Sequence, residues 1–147
     1  MRIYLMSLVL LLAFGCTAQE SVAPSDGDAV QDADFVVIRL SEISGTVKHY
    51  TYDTGAATVK YFAVKDSDGV VRTAFDACEV CYNAGKGYSQ DGTDVVCNNC
   101  GLRFRIDDLG TKNRGRGCWP AYLPHEVDGD EIVIKKSDFE AGAYLFP

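Results

Sequence analysis

Apolar and polar positions alternate along much of this chain with a period of two, the signature of half-buried strands. Val47–Tyr52 and Thr58–Lys65 read in this way and are joined through Asp53-Thr54-Gly55. Asp66-Ser67-Asp68-Gly69 predicts a hairpin turn into a strand over Val70–Phe75. Phe35–Leu40 is an apolar run interrupted only by Arg39 and closed by the turn Ser41-Glu42-Ile43-Ser44-Gly45. Further on, Asp94–Cys97, Leu102–Ile106 and Ile132–Lys135 read as short strands, separated by glycine-rich stretches over Ala84–Gly92 and Leu109–Cys118. Ser137-Asp138-Phe139-Glu140 fits a capping box that opens one helical turn. With no longer helical segment, the expectation is an all-β fold, mostly β with one short helical turn.

The N-terminus follows a different pattern. Arg2 precedes an apolar run, Ile3 to Phe14, which is short for a membrane span and ends in small residues before Cys16. Leu12-Ala13-Phe14-Gly15-Cys16 looks like a lipoprotein signal-peptidase site, with Ala13 where Leu is usual. Three regions are therefore expected: a lipoprotein signal peptide over 1–15, an acidic tether anchored by lipid on Cys16 over 16–34, and a β domain over 35–147. An uncleaved anchor and ordinary cleavage near Ala18 are the alternatives. Residues Thr17 to Asp34 have no hydrophobic period and would hold the domain roughly 20–25 Å from the membrane. The expected location is the extracytoplasmic face of the cell membrane, periplasmic or at the cell surface. The formal net charge is −7, and losing Arg2 with the signal makes it −8. An acidic chain argues against nucleic acid and against charge-driven binding to anionic lipid.

The chemistry lies in the cysteines. Cys78-Glu79-Val80-Cys81 and Cys97-Asn98-Asn99-Cys100 form two C-x2-C pairs separated by 15 residues. At this spacing, two tight turns can aim four sulfurs at one metal. Gly101 supplies the positive φ that turns backbone N–H groups toward sulfur. Disulfides alone are the plainer alternative. Haem attachment is excluded, because Tyr82 and Gly101 stand where His must follow each pair. Cys118 is the odd thiol: a fifth, exchangeable ligand, a resolving thiol, or a buried side chain under Trp119. His49 and His125 have no partner spacing and read as satisfied strand or loop positions. Arg103, Arg105, Lys112, Arg114 and Arg116 follow the second pair and either offset the charge of a polythiolate site or form an ordinary solvated face. No catalytic triad, carboxylate pair or phosphate loop can be argued, so an electron-transfer or metal-binding protein is expected more than a stand-alone enzyme.

The order "FDACEVC", "VVCNNCGLRFRI", "GCWPAYLP" and "VDGDEIVI" resembles the layout of a Rieske ferredoxin domain, with "LSEISG" similar to its opening turn. Cys81 and Cys100 stand where that family has histidine ligands. The resemblance implies a small Rieske-like β-sandwich with two metal-binding hairpin loops. Over Phe35 to Phe146 the chain is more similar to the FtrD-like membrane iron–sulfur family, in which "DSDGVVRTAFDAC", "GY", "VCNNCG", "GC" and "AGAY" recur, although Trp119 replaces the Asn expected after Cys118. This second resemblance implies an iron–sulfur cluster on Cys78, Cys81, Cys97 and Cys100 and a role in ferrous-iron uptake beside a membrane permease or redox partner.

The export signal weighs against that cofactor. Its single Arg predicts threading in the unfolded state, which a cluster built in the cytosol would not survive. Zinc or copper acquired outside, in a binding or delivery role, avoids the difficulty, as does a thiol–disulfide redox function, though no thioredoxin-like βαβ pattern supports the latter.

Overall fold

In the computed structural model, which describes residues 30–113, 115 and 117–147, β1 (Val30–Gln31) pairs antiparallel with β2 (Phe35–Arg39). The expected signal peptide, Cys16 and the expected tether as far as residue 29 lie outside the described residues, as do Arg114 and Arg116. β3 (Lys48–Asp53), β4 (Thr58–Lys65) and β5 (Val71–Cys78) then form a meander. Both turns follow the sequence's turn chemistry. Asp53 accepts the Gly55 N–H at 2.7 Å, and Asp66 accepts the N–H groups of Asp68 and Val70 at 3.0 and 2.8 Å.

A second meander carries β6 (Tyr88–Asp91), β7 (Asp94–Cys97) and β8 (Arg103–Arg105). The chain returns through β9 (Pro120–Tyr122), β10 (Glu126–Asp128) and β11 (Glu131–Lys135) and closes with α1 (Lys136–Gly142). The helix starts one residue ahead of the expected capping box. Ser137 lies inside its first turn, and Lys135 at the N-cap makes no side-chain cap bond. What holds α1 is burial of Phe139 between Tyr52 and Tyr61, at ring distances of 4.6 and 4.8 Å.

The strands make three sheets, ordered β1-β2-β11-β10, β3-β4-β5-β9 and β6-β7-β8. The mostly β class expected from the patterning is the class observed. The middle sheet is covered on both faces, which explains why alternation fails in the centre of β4: Tyr61, Phe62, Ala63 and Val64 are all fully buried. Tyr61 and Ala63 join Val36, Ile38, Ile132, Ile134 and Phe139 in one core. Phe62 and Val64 face the other way and pack with Ala74, Tyr88, Val95, Ile106 and Leu109. Cys78 and Cys97 belong to that second core, so the cysteine-bearing loops rise from the seam between the middle sheet and the β6-β7-β8 sheet.

Candidate metal centre

Two strand ends set the inner half of the site. Cys78 is the last residue of β5 and Cys97 the last of β7, and they are only 4% and 2% exposed. Strand termini anchored in a core hold their sulfurs with little freedom. Cys81 and Cys100 come from the turns that follow and are half-buried and exposed. The second turn is closed by the Gly101 N–H donating to the Cys97 carbonyl at 2.8 Å and by the Cys97 N–H donating to Leu102 at 2.9 Å. Gly101 has φ of 74°, the left-handed conformation expected of it.

The five sulfurs converge. Cys78, Cys81 and Cys118 lie within 4.8 Å of one another, as do Cys81, Cys97 and Cys100, so Cys81 is within that distance of all four others. Cys81 and Cys97 approach to 3.7 Å and Cys100 and Cys118 to 3.8 Å. Sulfurs on a tetrahedral metal with bonds of about 2.3 Å stand about 3.8 Å apart, so these separations suit thiolate coordination. Soft sulfur donors select zinc, copper(I) or iron–sulfur centres.

Cys118 reaches the site through backbone pairing. β9 pairs with β5 so that Pro120 faces Cys78, with a register shift between Ala74 and Cys78. The Glu79 N–H donates to the Trp119 carbonyl at 3.0 Å. Trp119 stands edge-on to Phe104 at 5.4 Å, and Asn113 ties its loop to Glu79 at 2.8 Å. The thiol is half-buried and joined to the cluster, which favours the ligand or resolving-thiol alternatives over a merely buried side chain.

Acid–base character differs sharply between neighbours. Burial pushes the Cys78 thiol up, but the amides of Cys81 and Val80, with Cys81 and Tyr88 beside it, outweigh that and bring it down to about 6. Cys81 is pushed up to about 12, by burial first and then by Cys78 and Cys97. Cys118 is raised to about 11 by Cys78, burial and Cys100. Cys100 is lowered, chiefly by the Leu102 amide. Cys78 is thus the sulfur that ionises most readily in the metal-free cluster, while Cys81 and Cys118 hold their protons more tightly, and a metal must displace them. The Tyr88 hydroxyl is buried beside the Cys78 sulfur but outside ideal hydrogen-bond geometry to it, and burial followed by that sulfur pushes its ionisation far up. It remains a proton donor next to sulfur, suited to a ligand that carries charge.

Three residues that the sequence reading passed over brace the loops. Asp76, on the same face of β5 as Ala74 and Cys78, accepts the Tyr88 N–H at 2.7 Å. Gly87, with φ of 61°, makes this approach possible, since a Cβ there would sit 2.5 Å from the Asp76 carboxylate. Asn98 bonds the Lys86 carbonyl and Ser89 at 3.0 and 2.8 Å, tying the second cysteine turn to the glycine-rich segment. A polar residue at an inward-facing step of an apolar strand was the available signal for Asp76. His49 pairs with Asp76 at 3.5 Å, which raises its pKa, and His125 contacts Thr73 at 2.9 Å. Neither histidine belongs to the thiol groups. Arg103 is bound by Asp91 and Asp94 at 2.7 and 3.0 Å and Arg105 by Asp107 at 2.7 Å, so both serve the solvated face.

A cavity of about 260 Å³ opens onto Cys78, Cys81 and Cys97, with Lys60, Lys86 and Phe146 in its walls. On the outer rim, Val80 and Leu102 are 58% and 50% exposed, apolar side chains within and just beyond the two cysteine turns. No helix among the described residues is long and apolar enough to cross a membrane.

Fold and site together define a mostly β protein with a polythiolate centre suited to metal. The chain belongs to the FtrD-like family, described as membrane iron–sulfur containing proteins, which it matches over residues 43–146. No curated protein and no solved structure gives a significant match to it.

Proposed function

We propose that this is an extracytoplasmic, membrane-tethered protein whose Cys78, Cys81, Cys97 and Cys100 hold an iron–sulfur cluster and pass electrons in iron uptake. The observation that carries the reading is the convergence of sulfurs from two C-x2-C turns in a chain that belongs to a family described as iron–sulfur containing. When bound, such a cluster supplies one-electron transfer. The protein's own contribution is to fix two ligands at strand ends, pack Phe62, Tyr88 and Phe104 against one side of the inner sulfurs, and leave Cys100 at the surface. Exposed Val80 and Leu102 offer a permease or redox partner an apolar contact beside the centre. The Rieske-like sandwich, the signal peptide over 1–15, the tether from Cys16 and the domain over 35–147 are part of this proposal.

Purified protein tests it directly. Iron and acid-labile sulfide in matching amounts, with a visible band that bleaches with dithionite at a potential nearer about −400 mV than zero, are expected. A second reading, a zinc- or copper-binding or delivery domain without redox turnover, is favoured by sulfur separations of 3.7 and 3.8 Å that also suit one tetrahedral ion. Stoichiometric zinc with no bleachable band would overturn electron transfer in favour of that reading.

A further inference from the structure

Five thiols meet where a tetrahedral ion or a two-iron cluster takes four, so one sulfur is in excess. The excess lies on the solvent side. Cys100 is exposed, Cys118 is half-buried, and their sulfurs are 3.8 Å apart. The other close pair, Cys81 and Cys97, is similarly spaced, but Cys97 is buried at 2% exposure. A disulfide reagent in solution therefore meets Cys100 first. Cys118 follows Gly115 and Gly117 in a loop outside the strand ladders, so it can close the remaining distance to a bond of about 2.05 Å without moving a strand.

We propose that Cys100 and Cys118 form a redox-active dithiol whose oxidation to a disulfide withdraws Cys100 from the metal, coupling metal retention to the thiol–disulfide state outside the cell. This rests on the reading that the cysteines bind metal, and not on which metal it is. The Cys100 sulfur attacks a small disulfide, RS–SR, breaking its S–S bond and releasing one thiolate RS⁻. Cys118, its thiol proton passing to the RS⁻ already released, then attacks the Cys100 sulfur of the mixed disulfide and releases the second RS⁻. The protein pair loses two electrons and the small disulfide gains them. Two protein thiols supply the protons of two RSH products; where Cys100 began as a metal-bound thiolate, the Cys118 proton goes to one RS⁻ and the other stays a thiolate or takes a proton from solvent. Cys78, Cys81 and Cys97 remain as a three-sulfur site with an open position, which binds metal more weakly.

The test uses the full chain loaded with cobalt(II), whose thiolate absorption reports coordination. Excess glutathione disulfide is added, cobalt release is followed, and disulfides are mapped by peptide mass spectrometry. The expected result is a Cys100–Cys118 disulfide that appears in step with cobalt loss, and release slowed at least about tenfold in Cys118→Ser. Equal rates in Cys118→Ser and wild type, or a first disulfide involving Cys78, Cys81 or Cys97, would overturn the proposal. If Cys118→Ser does not fold, the wild-type disulfide map decides alone. The iron–sulfur reading stands or falls on native metal and sulfide content, which the cobalt assay does not use.

Discussion

Cys78 faces Pro120 across the pairing of β5 with β9, and this places Cys118, two residues before Pro120, against the cysteine pair that β5 delivers. The third cysteine segment is thus recruited by main-chain hydrogen bonding, and the site's cysteines depend on one another through the fold.

Loss of single candidate ligands should therefore separate by depth. Cys78→Ser and Cys97→Ser, at buried strand ends, should lower both metal affinity, by more than about 100-fold, and the melting temperature of the metal-free protein. Cys100→Ser should lower affinity but leave metal-free melting unchanged, because the side chain is exposed. Metal titration and thermal melts of the three variants check this, and full metal content in any of them would contradict a common site.

Gly87→Ala places a methyl group 2.5 Å from the Asp76 carboxylate at a backbone φ of 61°. Gly85 has nearly the same φ, 62°, with open space around it. Both substitutions carry left-handed strain of about 1–3 kcal/mol, and Gly87→Ala should cost measurably more in denaturant unfolding. Equal costs would mean that the Asp76–Tyr88 bond does not brace the first loop.

Phe139→Ala should cost about 3–5 kcal/mol, because the ring is fully buried against Tyr52, Tyr61 and Phe75 and anchors α1 over the middle sheet. Chemical denaturation measures it. A cost below about 1 kcal/mol would show that α1 is not part of the cooperative core.

Acid stability should report on the β4–β5 turn. Burial alone would raise the Asp66 pKa, but the Val70 and Asp68 amides and the Arg72 guanidinium outweigh it and hold it below its ordinary 3.8. A depressed carboxylate pKa contributes stability above the unfolded value, and this is lost as pH falls through the folded value. Asp66→Asn should lower the melting temperature at neutral pH and flatten its fall below about pH 4. A melting curve against pH that matches wild type would remove Asp66 from the stabilising set.

Cys16→Ser should abolish labelling by radioactive fatty acid and either release soluble domain or leave unprocessed precursor, if Cys16 is the anchor. Normal labelling in that variant would end the tether proposal.

Sequence patterning alone determined the β class, the β3-β4-β5 meander, the strand that carries Cys97, a strand ending at Phe75 that the structure extends to Cys78, and the left-handed Gly101 after the second pair. These are local properties, because strand period and turn chemistry are written in residues a few positions apart. Tertiary structure decided the rest. β1, β6, β9 and β10 are two to four residues long and carry too few positions for a period to show, so their strand character comes from their partners. The partners of Arg103 and the Asp76–Gly87 contact were equally hidden, since both join segments 9 to 12 residues apart. The meeting of Cys118 with Cys100 spans 18 residues, and with Cys78 it spans 40. Spacing can show that two pairs of cysteines are able to face one metal. That a fifth thiol joins them follows only from the pairing of β5 with β9, because such a contact is specified by complementary surfaces and leaves no local pattern in the chain.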